Sequence, residues 1–348
     1  MAAGLHVGVI GVGRIGAFHV RTLRALSDVS EVTLADADPL QAGRVASEAG
    51  TEAVETPEAL VEAGVDALVI ATATPGHAPL LRLAAEAGLP AFCEKPVALD
   101  LAKMDDLVAE VERAGIFVQI GFQRRFDAGY LAARDAVARG TLGTLLVLRA
   151  ATHDPAPPDE AYVAASGGIF RDLHIHDFDA VRYVSGQEIV EVFADGAVRE
   201  TPWFERHGDV DTAVATFRLS GGALGILSGA RHDALGYDVR LEVFGTADSI
   251  AVGIDSRSPI RSVEPSVPHS REPGYQNFLE RFEPAYRAEL AAFVDAVRNG
   301  GESRCTLHEA RATLRVALAA DRSRIERRPI SIEPDPDEEV TSAEALAG

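Results

Sequence analysis

The chain has 348 residues, 47% of them hydrophobic, and a formal net charge of −20. The length exceeds one ordinary core and suits two domains, and the negative balance disfavours nucleic acid and anionic membrane surfaces as partners. No apolar run approaches the roughly 18 residues a membrane helix needs. Met1–Gly4 leads into a strand-like run without a secretory pattern. Cys93 and Cys305 make no disulfide framework, so a cytoplasmic setting is expected.

In chain order, short aliphatic runs at 6–11, 31–36, 67–72, 91–95 and 117–121 alternate with helical stretches at Ile15–Leu26, Pro39–Glu48, Ala78–Ala87 and Ala102–Ala114. This alternation predicts a parallel sheet covered on both faces. The second half reads differently. Runs at 145–152, 190–198, 211–219, 223–231 and 238–246 follow one another through turn-like joints. They predict a mostly antiparallel sheet with one face covered by helices or by another subunit. Arg257–Gly274, rich in Pro and Ser, reads as a long loop. Two helices, Tyr286–Arg298 and Leu307–Glu326, close the fold. The expected domains are 1–122, α/β, and 123–332, α+β with an open sheet; 333–348 reads as an acidic, solvated tail.

Gly11-Val12-Gly13-Arg14-Ile15-Gly16 follows the first strand and opens the first helix. In that context the glycines are a dinucleotide-binding signature of the Rossmann type. Gly11 permits a tight turn, Gly13 admits a pyrophosphate, and Gly16 lets helix and strand approach closely. The helix start, with Arg14 and Ile15, offers free N–H groups to phosphate. Asp36 ends the second strand about 20 residues on, where a carboxylate accepts ribose hydroxyls and repels a 2′-phosphate. NAD is therefore the expected cofactor and NADP is disfavoured.

Three further motifs stand out. Glu94-Lys95-Pro96 follows the fourth strand, Gly121–Asp127 reads GFQRRFD, and Gly167–Asp172 runs into His176-Asp177-Phe178-Asp179. Together they resemble the family of glucose–fructose oxidoreductases and inositol dehydrogenases, over roughly Val7 to Ile332. Gly236-Tyr237-Asp238 and Phe282–Leu290 resemble its inositol-type members. The resemblance implies an NAD-dependent dehydrogenase acting on a secondary alcohol of a cyclitol or sugar, with myo-inositol, oxidised at C2, as lead substrate. It implies tetramers associating through the second sheet, and an active site between the domains near the carboxyl ends of the Rossmann strands.

By the same resemblance Lys95, Asp172 and His176 are catalytic. His176 accepts the hydroxyl proton, Asp172 orients it, and Lys95 bonds the reacting oxygen; how Lys95 and His176 divide the work stays open. Thr72, Thr74, Pro75 and His77 line the cofactor together with Glu94 and Lys95, and Gln123, His153 and Tyr237 join the catalytic residues around the substrate. Asp154 stands where Arg is common in inositol-type members and Gln123 where Met is frequent, which bears on the substrate rather than the reaction. Arg124 and Arg125 are expected in an interdomain salt bridge.

Asp172 and His176 are spaced i, i+4. On one continuous helix, at about 100° per residue, a polar row of Asp172, Ile175, His176, Asp179 and Tyr183 would face a cleft. Phe170, His174, Phe178 and Val181 would pack inward, making His174 structural. His174 and His176 would then point apart, so no metal site is expected. The sequence also admits a different sugar, or an amino- or scyllo-cyclitol, as substrate. Two further classes compatible with it are a non-catalytic NAD- and sugar-binding regulator and an NAD-dependent glycosidase.

Overall fold

In the computed structural model, residues 4–267 and 272–333 are described. They form two compact units. The first runs to Asp127 and includes Phe282–Arg311; the second runs from Ala128 to Arg281 and resumes at Ala312.

The first unit is built on six parallel strands: β1 (Leu5–Ile10), β2 (Val29–Ala35), β3 (Glu52–Ala53), β4 (Ala67–Ile70), β5 (Ala91–Glu94) and β6 (Val118–Gly121). Their order is β3-β2-β1-β4-β5-β6, the doubly wound order of a dinucleotide-binding sheet. β4, β5 and β6 are buried at every residue, as strands covered on both faces require. The helices are set by local chemistry. Asp38 caps Pro39–Ala49, which Gly50 ends in the left-handed conformation; Asp100 and Gly115 do the same for Leu101–Ala114. Part of Phe278–Asn299 returns to this unit, where Phe293 packs edge-on against Phe92. Further along, the Ile120 N–H donates to the Cys305 carbonyl.

The second unit is built on seven strands: β7 (Leu145–His153), β8 (Ile189–Ala197), β9 (Thr212–Leu219), β10 (Leu224–Ala230), β11 (Asp238–Gly245), β12 (Ser249–Val252) and β13 (Ile330–Ser331). Their order is β12-β11-β7-β10-β9-β8-β13, antiparallel throughout except for the parallel pair β7 and β10. β9 alternates strictly between buried and accessible residues, so one face of the sheet is covered. Helix Ile175–Ser185 lies on that face; Thr152 on β7 donates to Asp177 at 2.7 Å. The other face exposes Phe193, Val214, Leu224 and Ile226.

Both cysteines are buried and unlinked, and burial pushes the Cys93 thiol up. Among the described residues, no helix is long and apolar enough to cross a membrane. The expected acidic tail lies outside the described residues beyond Glu333, as do 268–271 of the expected long loop.

Candidate active site

In the first unit, the β1–helix turn carries the glycine motif. Gly11 has φ +86°, and a Cβ there would lie 2.7 Å from the backbone of Thr72. A Cβ on Gly16 would lie 1.9 Å from the Gly11 carbonyl oxygen, whereas one on Gly13 would meet nothing within 4 Å. Gly11 and Gly16 thus enforce close packing, and Gly13 leaves an open approach to the start of helix Arg14–Arg24. The loop is held from both sides at Val12. Its N–H donates to Asp36 at 2.7 Å, and its carbonyl accepts from Gln41 at 2.8 Å. The other Asp36 oxygen accepts the Asp38 N–H at 2.9 Å.

These features fit a dinucleotide. The uncovered Gly13 admits a pyrophosphate, and a carboxylate oxygen with one backbone N–H can still accept a ribose hydroxyl.

Thr72, Thr74 and Pro75 form the turn between β4 and helix His77–Ala87. His77 lies beneath it. Its ring nitrogens sit 2.7 Å from the Pro96 carbonyl and 2.9 Å from the Thr72 carbonyl, tying this turn to the one after β5. Burial lowers its pKa despite both contacts. Glu94 turns inward, its carboxylate 2.7 Å from His19; Gly121 leaves room for it. Lys95 follows, half-buried, at the end of β5. Gln123 is buried in the short Gln123–Phe126 turn. Arg125 pairs within the first unit, with Glu309 at 2.7 Å.

In the second unit, register gathers the chemistry at one end of the sheet. Ala230 on β10 pairs with His153 on β7, and His153 pairs with Asp238 on β11. His153, Arg231 and Asp238 therefore emerge side by side. His153 Nδ1 lies 3.4 Å from Asp238, and Arg240 forks onto the same carboxylate at 2.8 and 2.9 Å. Burial alone would raise the Asp238 pKa; hydrogen bonds from His153 and Arg240 outweigh it and lower the value. His153, Asp233 and Asp238 bring possible ligand atoms within 4.8 Å of one another. Arg240 already supplies the cation there. Tyr237 is buried beside this group, and its N–H donates to the Tyr275 carbonyl.

Asp172 is 6% exposed. The Tyr162 hydroxyl donates to one of its oxygens at 2.8 Å, and Arg231 donates to the other at 2.7 Å. The segment around it departs from the expected single helix. Ile169–Asp172 and Ile175–Ser185 are separate helices. They are broken at Leu173–His174, where the His174 N–H reaches back to the Ile169 carbonyl. The expected polar row does not survive the break. Ile175, Asp179 and Tyr183 are buried; Thr313 lies against Asp179, and Arg134 stacks over Tyr183. Of the row's last four members only His176 is half-exposed. His174 is fully buried, 2.8 Å from Asp177, with its ring seated over Gly229. Burial lowers its pKa against the pull of Asp177.

Sequence reasoning did not single out Tyr162 or Arg231. Arg231 was visible only as the last residue of the 223–231 run, and Tyr162 lies in a Pro- and Ala-rich stretch without periodicity.

Residues 5–122 match the model of an oxidoreductase family with an NAD-binding Rossmann fold, and 130–251 match the GFO/IDH/MocA C-terminal domain. A myo-inositol 2-dehydrogenase of Thermotoga maritima is 37% identical over 332 residues, 94% of this chain and 99% of that protein. The structure of a myo-inositol dehydrogenase from Corynebacterium glutamicum matches with a TM-score of 0.88 at 34% identity, over 95% of this chain and 100% of that one. A scyllo-inositol dehydrogenase from Lactobacillus casei, solved with NAD(H) and scyllo-inositol, matches with a TM-score of 0.84 at 27% identity, over 94% of this chain and 99% of that one.

Proposed function

The chain belongs to the GFO/IDH/MocA family of oxidoreductases, and from that premise we propose that it oxidises a secondary alcohol of a cyclitol with NAD. The lead substrate is myo-inositol, converted to its 2-keto product. One observation carries the reading: Asp172, fixed by Tyr162 and Arg231, stands four positions before half-exposed His176, in a chain whose glycine loop leaves Gly13 open.

NAD, when bound, supplies the hydride acceptor. The rest falls to side chains. Gly11, Gly13, Arg14, Ile15 and Gly16 receive the pyrophosphate, Asp36 the ribose, and Thr72, Thr74 and Pro75 the neighbouring wall. His176 takes the hydroxyl proton as general base. Asp172 orients the imidazole and the hydroxyl. Lys95 donates to the reacting oxygen and stabilises charge as it develops there. Gln123, His153 and Tyr237 hold the remaining hydroxyls, because each buried hydroxyl left without a partner is costly. The relative solved with scyllo-inositol favours that epimer as the second substrate to include.

Two coarser features complete the proposal. The exposed apolar residues of β8, β9 and β10 favour a homo-oligomer, a tetramer by resemblance, closed over that face. The two unlinked cysteines suit a cytoplasmic setting.

The test is NADH formation at 340 nm, with NAD or NADP, against a panel of cyclitols and sugars. NAD reduction by myo-inositol supports the proposal. Turnover on another sugar alone would discard the cyclitol, and NAD binding with no turnover on any member would discard the dehydrogenase.

A further inference from the structure

Arg231 is a cation in the interior, 4% exposed, one residue beyond β10. Its two terminal nitrogens serve different carboxylates. One donates to Asp172 at 2.7 Å and the other to Asp154 at 3.0 Å. The position follows from the sheet. β7 and β10 run parallel and end in register, Ala230 beside His153, so the next residues, Arg231 and Asp154, meet without any loop to adjust. The Asp154 N–H donates to the Ala230 carbonyl, and the Arg231 N–H to the Asp211 carbonyl, which fixes both backbones. Burial would depress the guanidinium pKa, but Asp172 and Asp154 hold it raised.

We infer that Arg231 is a positioning residue for the reaction: it holds the Asp172 carboxylate in its working orientation and ties it, through Asp154, to the β7 end that carries His153. The inference rests on the proposed role of Asp172. Burying a guanidinium is expensive unless its partners are fixed. A planar fork can serve two carboxylates in set directions, whereas an ammonium acts as a point charge. Tyr162 bonds the other Asp172 oxygen, so removing Arg231 takes away the guanidinium that directs the second oxygen toward the sheet end.

The test compares Arg231→Met, Arg231→Lys and Asp172→Asn, alone and with Arg231→Met added to Asp172→Asn. Arg231→Met should lower kcat on the order of 10- to 100-fold, the range expected for a hydrogen bond to a charged group, with NADH affinity unchanged. Arg231→Lys should recover part of the loss. In the Asp172→Asn background, Arg231→Met should add little. Wild-type kcat in folded Arg231→Met, or losses that simply multiply in the double variant, would overturn the inference and leave the proposed reaction standing. Wild-type kcat in Asp172→Asn would overturn the role of Asp172 instead. A crystal structure of Arg231→Met with Asp172 unmoved overturns the inference whatever the activity. If Arg231→Met does not fold, Asp154→Ala carries the test: it removes the acceptor from one end of the guanidinium and should lower kcat more mildly, and no change would count against the inference.

Discussion

Replacing Gly16 by Ala should impair the nucleotide site while leaving most of the fold intact. A methyl group there would stand 1.9 Å from the Gly11 carbonyl oxygen, well inside the ordinary carbon–oxygen contact of about 3.5 Å. The helix Arg14–Arg24 must therefore retreat from the loop by more than a bond length, or the loop must rotate. Rotation is resisted because the peptides on either side of Val12 are both held, the N–H of one by Asp36 and the carbonyl of the next by Gln41. Overpacking of this kind costs about 2 kcal/mol. If that cost falls on the nucleotide-bound geometry, NADH affinity weakens about 30-fold. Titration of NADH by fluorescence or calorimetry reads the change, and circular dichroism checks the fold. Wild-type NADH affinity in a folded Gly16→Ala protein would mean that close approach at Gly16 does not shape the nucleotide site.

Other expectations follow the same logic. Asp36→Ser with Ala37→Arg removes the carboxylate and adds a cation, and should shift preference toward NADP in paired kcat/KM measurements; unchanged NAD preference would mean that discrimination resides elsewhere. Lys95→Ala and His176→Ala should each abolish turnover with NADH binding preserved, while His174→Ala, which leaves Asp177 without its imidazole, should lower Tm and spare catalysis in whatever protein folds. His77 and His174 have folded pKa values below the ordinary 6.5, so the unfolded chain binds protons more readily. Stability should fall as pH drops below about 6.5, which denaturant midpoints measured at stepped pH would show. Val214→Asp with Ile226→Asp places charge on the exposed sheet face and should lower the mass read by light scattering if the proposed oligomer closes over that face; an unchanged mass would contradict that part of the proposal.

Much of the first unit is legible because its physics is local. Strands buried on both faces read as unbroken aliphatic runs, and Asp38, Gly50, Asp100 and Gly115 mark helix ends by their own side chains or backbone preferences. Short elements without such marks, such as β12 and the two-residue β13, leave no comparable signal.

In the second unit, alternation exposes the strands and not their partners. The parallel pairing of β7 and β10 brings Arg231 to Asp154 and Asp172 across 77 and 59 positions, and no local pattern encodes it. The break at Leu173–His174 also lacks the Gly or Pro that would announce it. Interior partners accompany it: His174 bonds Asp177, Asp177 bonds Thr152, and the His174 ring needs the space above Gly229.

The proposed function turns on direct hydride transfer from a cyclitol carbon to NAD. It is tested most directly with myo-inositol carrying deuterium at C2, followed by mass spectrometry of the nicotinamide product. One deuterium should be retained in the reduced cofactor for each ketone formed, with a slowed rate if transfer limits turnover. Ketone formation with deuterium lost to solvent, or cofactor reduction without the label, would contradict it.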